Sequence, residues 1–235
     1  MRGFGVRKET IDLKRIILVV IIMVSFSAFG ASIPRDRIQK GLEVLKSLSE
    51  SEDSGSFIEL LRKSNGIVIY PEMVKAALGF GGQYGEGFLL RRDETGNWFG
   101  PLFVRLYGIS YGFQAGVQKS GLVLVIMNKQ GIEGFLGNNV TLGGSASISA
   151  GPTGKTLSAD TDYKLEAAIY SYSISNGLFA GISLGGSIIR QDTDADKEYF
   201  SEKLTPREII DRPALGSEIE ELMNFLDSLI SPGTN

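Results

Sequence analysis

The chain has 235 residues, no cysteine, no histidine and a formal net charge of −3 at pH 7. The missing residue types exclude disulfides, thiolate nucleophiles, Cys or His metal sites and every catalytic triad that depends on histidine. The acidic balance argues against a nucleic-acid-binding protein, whose surface is usually basic, and the length fits one domain with a short appendage.

Residues 1–30 have the three parts of a secretory signal peptide. Five basic and two acidic side chains precede or flank an apolar stretch of 14 residues, Ile16 to Phe29, and small residues end it. Fourteen residues fall short of the roughly 20 that span a bilayer. The pattern predicts a signal peptide and an exported protein, periplasmic or peripheral to an envelope membrane, with an uncleaved anchor as the alternative. The remaining 31–235 carry 19 basic and 25 acidic side chains, a net charge of −6.

Helical spacing dominates residues 34–64. Apolar residues recur along one side of the first part, at Ile38, Leu42, Leu45 and Leu48. Ser56 and Glu59 have the spacing of a capping box, in which each side chain satisfies a free helix-end N–H. A second short helix is therefore predicted, ending at 64–66, where Gly66 can adopt a left-handed conformation.

From Gly66 to about Arg190 the pattern becomes that of β-strands. The sequence predicts a buried strand at Ile67–Tyr70 that Pro71 ends, and a turn at 93–97. Further β-rich runs are Phe88–Leu90, Trp98–Tyr107 and Leu122–Met127. Between Gly79 and Gly186 lie 22 of the 30 glycines, and glycine in strands marks bulges, bends and close backbone approach. This density predicts a strongly curved, glycine-rich antiparallel sheet that bends toward a barrel.

Helices return near the end of the chain. Thr205 and Glu208 form a capping box with Pro206 at the first helical position. An apolar stripe then follows helical spacing, at Leu215, Ile219, Leu222, Leu226 and Leu229. The order of helices, strands and helices predicts an α+β fold, in which N- and C-terminal helices flank the sheet of a single domain over 31–235, with a core of about 34–226.

Three stretches approach the pattern of a ligand site but lack required residues. Ser149–Thr156 replaces the first glycine of a P-loop with serine, and no helical stripe follows it. The acidic residues of 192–196 match the start of an EF-hand loop whose glycine and final glutamate are both lysines. Gly79–Gly85 lacks a glycine of the dinucleotide loop. The sequence therefore predicts no nucleotide, no metal and no cofactor, and the acidic cluster is explained by a helix start.

The segment Pro34–Leu48 supports two interpretations. Its cations and its apolar stripe together are typical of a helix that lies at a membrane interface. The same pattern is typical of an ordinary helix that packs its apolar side on the sheet. The cations are Arg35, Arg37, Lys40 and Lys46.

Several stretches rich in glycine and aromatic residues follow one another along the chain. They are Gly66–Pro71, Lys75, Gly79–Gly87, Trp98–Pro101, Gly112–Gly116, Gly151–Gly154 and Tyr170–Gly181. In this order they resemble the SYLF domain, also called the Ysc84-type or DUF500 domain, and the resemblance covers roughly residues 34–226.

The resemblance implies a non-enzymatic lipid-binding domain. Eukaryotic members bind phosphoinositide membranes with the help of an N-terminal amphipathic helix, some bind actin, and bacterial members are exported proteins. An exported chain meets neither actin nor phosphoinositides, so the expected partner is anionic phospholipid or a membrane surface of the bacterial cell envelope. Carried onto this chain, the lipid-binding residues would be Arg35, Arg37, Ile38, Lys40, Leu42, Leu45 and Lys46.

Two alternatives remain open from the sequence. One is a structural or protein-interaction module of the envelope that has no lipid ligand. The other is an enzyme that uses an unrecognised site built from carboxylates or lysines, since neither residue type is scarce.

Overall fold

Six helices and seven strands make up the part of the chain that the computed structural model describes, which is residues 32–51, 54–137, 139–144, 146–152, 167–175, 178–182 and 184–231. The helices are α1 (Pro34–Ser49), α2 (Gly55–Lys63), α3 (Lys129–Gly134), α4 (Thr193–Phe200), α5 (Pro206–Ile210) and α6 (Ser217–Ile230). The strands are β1 (Gly66–Arg92), β2 (Trp98–Ile126), β3 (Val140–Thr141), β4 (Ile148–Ala150), β5 (Ile169–Ser175), β6 (Leu178–Gly181) and β7 (Ile188–Gln191).

A hairpin of two very long strands forms the centre of the sheet. Strands β1 and β2 have 27 and 29 residues and pair from Gly66↔Ile126 to Arg92↔Trp98. The predicted turn at 93–97 joins them, and its Asp93 carboxylate accepts backbone N–H bonds within the turn. Three register shifts interrupt the ladder, and each bulge adds bend and twist to the strands.

The prediction that Pro71 ends the first strand is wrong. The chain continues as β1, and Pro71 lies at the first register shift, between Tyr70 and Met73. The ladder is already interrupted there, so the missing N–H of proline removes no regular hydrogen bond. The runs that the sequence separated at Ile67–Tyr70 and Phe88–Leu90 therefore belong to one strand.

The other strands attach to the free edge of β2. Strand β5 pairs with its Gly121–Ile126 end, and β7 pairs with Val104–Tyr107. Strand β3 extends the sheet from β7, while β4 and β6 extend it from β5. The result is a strongly curled, open half-barrel, which confirms the predicted α+β class. All pairs are antiparallel except β4 with β5, an exception the sequence does not predict.

Close backbone approach explains some of the glycines. A Cβ on Gly87 would overlap the carbonyl oxygen of Ile69, and a Cβ on Gly41 would lie 2.8 Å from Cζ of Phe88. Gly41 is therefore the point at which α1 crosses the sheet. Glycine destabilises the helix by about 1 kcal/mol relative to alanine, but it allows this close contact between helix and sheet.

Helices cover both faces of the sheet. One apolar cluster joins α1, α2 and α6 to the sheet through residues such as Leu45, Phe57 and Leu226. A second cluster lies on the other face and includes Ile132 of α3 and Ile209 of α5. The apolar stripe predicted for the C-terminal helix is only partly correct, because Leu215 precedes α6 and is 80% exposed.

Of the two capping boxes predicted from the sequence, one is present in the structure and one is not. The capping box of Thr205 and Glu208 forms as predicted, with Pro206 as the first residue of α5. The capping box predicted at Ser56 is wrong, because α2 begins one residue earlier, at Gly55, with Ser54 at the N-cap position.

Two predictions fall on residues outside the described ranges. The signal segment at 1–30 lies wholly outside them, and Ser149–Thr156 lies partly outside them. Within the described ranges, no helix combines the length and the apolar character needed to cross a membrane.

Candidate functional site

Helix α1 divides the predicted lipid-binding residues into a buried group and an exposed group. Ile38, Leu42 and Leu45 are 0–4% exposed, because they form the side of α1 that packs into the first apolar cluster. In this arrangement the apolar stripe contacts the protein interior, as the alternative interpretation of the segment expects. The stripe could enter a bilayer only if α1 left the sheet.

Arg37 is also buried and is the centre of a cluster of charged side chains. It is 2% exposed, and its Nη2 lies 2.8 Å from Oδ2 of Asp192 and 3.0 Å from Oε2 of Glu86. Its Nε donates to the hydroxyl of Ser32 at 2.6 Å. Arg37 therefore ties the start of α1 to β1 and to the N-cap of α4.

Arg105 of β2 completes this cluster from the opposite side. Its Nη2 lies 2.8 Å from Oδ1 of Asp192, and its Nε lies 3.6 Å from Oε1 of Glu86. The Ser32 N–H and hydroxyl and the Tyr84 hydroxyl donate to Glu86. Burial alone would raise the pKa of Glu86, but these hydrogen bonds and the charge of Arg37 hold that pKa below its ordinary value.

Asp196 is the most strongly perturbed carboxyl next to the cluster. Its oxygens accept from the Phe103 backbone N–H and from Nε2 of Gln191. Burial, together with the nearby charge of Asp192, raises its pKa to about 7, although the hydrogen bonds oppose that shift. The group is 2% exposed, so it has no open path to a soluble substrate.

The acidic residues of 192–196 start a helix, as the sequence predicted for this cluster. Asp192 is the N-cap of α4, and its side chain accepts the Ala195 N–H. Asp192 and Asp196 point into the protein, toward arginine and backbone donors. In the described part of the chain, no three acidic side chains converge in a way that could hold a metal ion.

Sequence reasoning missed Glu86 and Arg105. Both come from the middle of the long hairpin, far along the chain from Arg37 and Asp192, so no local spacing connects them. The available signal is that each is a lone charge within an apolar or glycine-rich strand, where a charge needs a partner of opposite sign.

The remaining predicted cations are on the outer side of α1. Arg35 forms an ion pair with Glu218 at 2.9 Å, and Lys46 forms one with Glu221 at 3.0 Å. Both glutamates belong to α6, which packs beside α1. Lys40 is exposed. Arg35 and Lys40 are thus exposed and Lys46 is partly exposed, and Arg35 and Lys46 share their charge with α6.

A second candidate is an open cleft of about 440 Å³ at the β1–β2 turn. Its lining includes Arg91, Lys129 and Arg207, which form ion pairs with Asp211, Glu94 and Glu133. Because its charges are balanced in these pairs, the cleft offers little net attraction for an anion or a cation.

Known proteins have sequences similar to this one. Residues 107–229 match the Ysc84 family model, described as "Las17-binding protein actin regulator". The relatives include SH3 domain-containing YSC84-like protein 1 from Xenopus laevis, 35% identical over 72% of this chain and 51% of the relative, and its counterpart from Bos taurus, 32% identical over 72% and 50%. Protein YSC84 from Saccharomyces cerevisiae is 29% identical over 72% of this chain and 37% of the relative.

The chain spans about half the length of the curated relatives it matches first. The match with the family model begins in β2 and ends in α6, so it includes Asp192, Asp196 and strands β3 to β7. This model covers more than half of the sequence, and the chain therefore belongs to the Ysc84 family, whose domain is also called SYLF.

Proposed function

We propose that this chain is a non-enzymatic binding module that attaches to anionic phospholipid surfaces. We propose further that it is exported and acts in a bacterial cell envelope, because the N-terminal sequence has the pattern of a secretory signal. The observation that carries the lipid proposal is the division of α1. Its apolar side is buried, yet Arg35 and Lys40 are exposed and Lys46 is partly exposed.

The charges of α1 set the expected strength of binding. A Lys or Arg near an anionic membrane contributes on the order of 1 kcal/mol, but Asp36 and Glu43 are interleaved with the cations. The protein as a whole is acidic. Binding should therefore be of modest affinity, and it should weaken as salt screens the exposed charges.

The chemistry of the described residues supports a role without catalysis. The chain has no histidine or cysteine to act as a base or nucleophile. The buried carboxylates Glu86 and Asp192 are matched to Arg37 and Arg105. Such a cluster holds elements together, and it presents no group poised toward a cleft.

Vesicle co-sedimentation tests the proposal with the full chain. Binding to vesicles that contain phosphatidylglycerol is compared with binding to phosphatidylcholine vesicles. The apolar N-terminal segment is present in every sample, so the difference in bound protein between the two vesicles measures the charge-dependent part of the binding. We expect preferential binding to the anionic vesicles. The triple variant Arg35→Glu, Lys40→Glu, Lys46→Glu should lose that preference.

A matched triple variant serves as the control. Lys63, Lys129 and Arg207 are also exposed cations in ion pairs, but they lie on α2, α3 and α5. Their reversal to glutamate changes the net charge by the same amount and should retain most of the preference. Equal loss in both triples, or no preference for anionic vesicles in the unaltered chain, would overturn the proposal.

A second candidate function is a protein-interaction module of the envelope without a lipid ligand. The family description supports it, because it names a protein partner, Las17, and actin regulation. A partner recovered in stoichiometric amount by chemical cross-linking in the producing cells, together with no vesicle binding, would favour this candidate.

A further inference from the structure

One face of β2 becomes steadily more exposed with distance from α1. Alternate residues of a strand share a face, so Phe103, Arg105, Tyr107 and Ile109 lie on the same one. Phe103 is fully buried beneath the helices and Arg105 belongs to the charge cluster. Tyr107 is 38% exposed and Ile109 is 67% exposed. The apolar surface therefore continues beyond the part that α1 covers.

The residues of β1 that pair with this part of β2 leave Ile109 uncovered and hold Tyr107 in place. Ile109 is paired with Gly82, which has no side chain to cover it, and Tyr107 is paired with Tyr84. The two tyrosine rings pack at 5.3 Å between centroids, and the Tyr84 hydroxyl donates to Glu86 at 2.7 Å. The hydrogen bond to Glu86 and the contact with the neighbouring ring hold Tyr84 beside Tyr107.

The start of α1 brings another exposed apolar side chain to the same place. Ser32 is bound to Glu86 through its N–H and its hydroxyl, at 3.0 and 2.6 Å. Ile33 follows it and is 53% exposed. We define the Tyr107 strip as Ile33, Tyr84, Tyr107 and Ile109. All four lie within one or two residues of a contact to Glu86 or of the Tyr84–Tyr107 pair.

The sequence before Ser32 indicates what covers the strip. The apolar segment Ile16–Phe29 ends three residues before Ser32, and three residues reach about 10 Å at most. Where this segment is retained as the uncleaved anchor, the alternative to a cleaved signal peptide, a bilayer that holds it lies within reach of the strip. Tyrosine beside aliphatic side chains is a composition favoured at the boundary between headgroups and acyl chains.

We infer that the Tyr107 strip is the surface that enters the headgroup region of a phospholipid bilayer. This inference rests on the proposed function and adds an orientation to it. The exposed face of the long hairpin supplies the apolar contact that the buried stripe of α1 does not supply. The cations of α1 then lie at the periphery of the contact, near lipid phosphates.

The absence of cysteine makes a direct test possible. A single Ile109→Cys variant of the full chain is labelled with an environment-sensitive fluorophore, and a Leu215→Cys variant is the control. Leu215 is also exposed, at 80% against 67% for Ile109, but it lies next to the β1–β2 turn, where the Ala214 N–H donates to the Trp98 carbonyl, eleven positions along β2 from Ile109. On phosphatidylglycerol vesicles we expect a blue shift and a several-fold rise in emission at position 109 only.

Affinity provides the second measurement. Burial of an isoleucine side chain corresponds to about a tenfold change in affinity, so Ile109→Ser should weaken anionic-vesicle binding about tenfold and Leu215→Ser should leave it unchanged. Both side chains are exposed, so the fold should tolerate either change.

The outcomes separate the inference from the proposed function. If the unaltered chain binds vesicles while the label at position 109 stays in water and Ile109→Ser has no effect, the orientation is wrong and the proposed function stands. If the unaltered chain shows no preference for anionic vesicles, both are wrong.

Discussion

Arg37 is a charged residue that is buried among partners of opposite charge. Its guanidinium lies between Asp192 and Glu86, and its Cζ is 5.6 Å from the centroid of the Phe103 ring. Removal of one partner from a buried ion pair leaves the other charges without compensation, which is far more costly than the loss of an exposed pair. Arg37 should therefore matter for stability, whereas Arg35 should matter for binding.

Arg37→Met should lower the free energy of unfolding by roughly 3–5 kcal/mol. Asp192 and Glu86 would lose a buried cation, although methionine would retain much of the apolar stem. Arg35→Met is the control, because Arg35 is 71% exposed and exposed pairs contribute only about 0–1 kcal/mol. Urea unfolding followed by circular dichroism measures both, and similar losses would contradict the role given to the cluster.

Asp196 should make the stability depend on pH between about 4 and 7. Its folded-state pKa is about 7 and therefore lies above the ordinary value of 3.8, so the folded protein keeps a proton that the unfolded chain has already lost. Stability should fall as pH rises through this range. The charged groups around it are Asp192, Arg37, Glu86 and Arg105, and the lowered pKa of Glu86 places its own effect at lower pH.

The variant Asp196→Asn should flatten this dependence. Asparagine can still accept from the Phe103 N–H, and Gln191 can turn its amide oxygen toward the new Nδ2. Thermal unfolding at pH 5, 6.5 and 8 should show a falling midpoint for the unaltered chain and a smaller fall for Asp196→Asn. An equal fall in both would assign the pH effect to another group.

At the scale of elements, local patterns predicted α1 and the Thr205 capping box because each depends on neighbours within one or two helical turns. The extent of β1 was not predictable in this way, since Pro71 is tolerated only because a bulge formed by distant pairing lies there. Gly41 likewise appeared only as a weak point of a helix, and its contact with Phe88 depends on the tertiary fold. Which cations of α1 form ion pairs could not be predicted from the sequence, because the pairing depends on where α6 packs.

Helix α6 should reduce lipid binding by α1, because Glu218 and Glu221 form ion pairs with Arg35 and Lys46 and so compete with lipid phosphates for these cations. The double variant Glu218→Gln, Glu221→Gln should strengthen binding to anionic vesicles roughly thirtyfold, since two freed cations that each contribute on the order of 1 kcal/mol at such a surface together give about 2 kcal/mol. Co-sedimentation over a lipid titration measures the change.

The control for α6 is Glu94→Gln, Glu133→Gln. These glutamates are also exposed and ion-paired, with Lys129 and Arg207, and they lie at the β1–β2 turn and on α3. The same change in net charge should have a much smaller effect there. An equal gain in both variants would indicate a general charge effect.

At the scale of the whole molecule, contacts between distant parts of the chain join the helices to the sheet. Lys46 meets Glu221 across 175 positions, and Nε1 of Trp98 donates to Asp227 across 129 positions. The first apolar cluster includes residues from α1, the sheet and α6. The described part of the domain should therefore unfold as one cooperative unit.

Trp98 can report on that cooperativity because it is the only tryptophan of the chain. It is buried and bonded to α6, whereas far-ultraviolet circular dichroism reports helices and strands together. The two signals should change at the same urea concentration, and Asp227→Ala should lower both midpoints together. Earlier loss of the tryptophan signal would mean that α6 detaches before the sheet unfolds.

The charge cluster also constrains the order in which the protein can be made. Arg37 is synthesised early, whereas Asp192, which neutralises both Arg37 and Arg105, lies in the last fifth of the chain. A nascent chain that lacks Asp192 would have to dehydrate two guanidinium groups against Glu86 alone in order to close its interior. We therefore expect the interior to close only after Asp192 has been synthesised, when nearly the entire polypeptide is present.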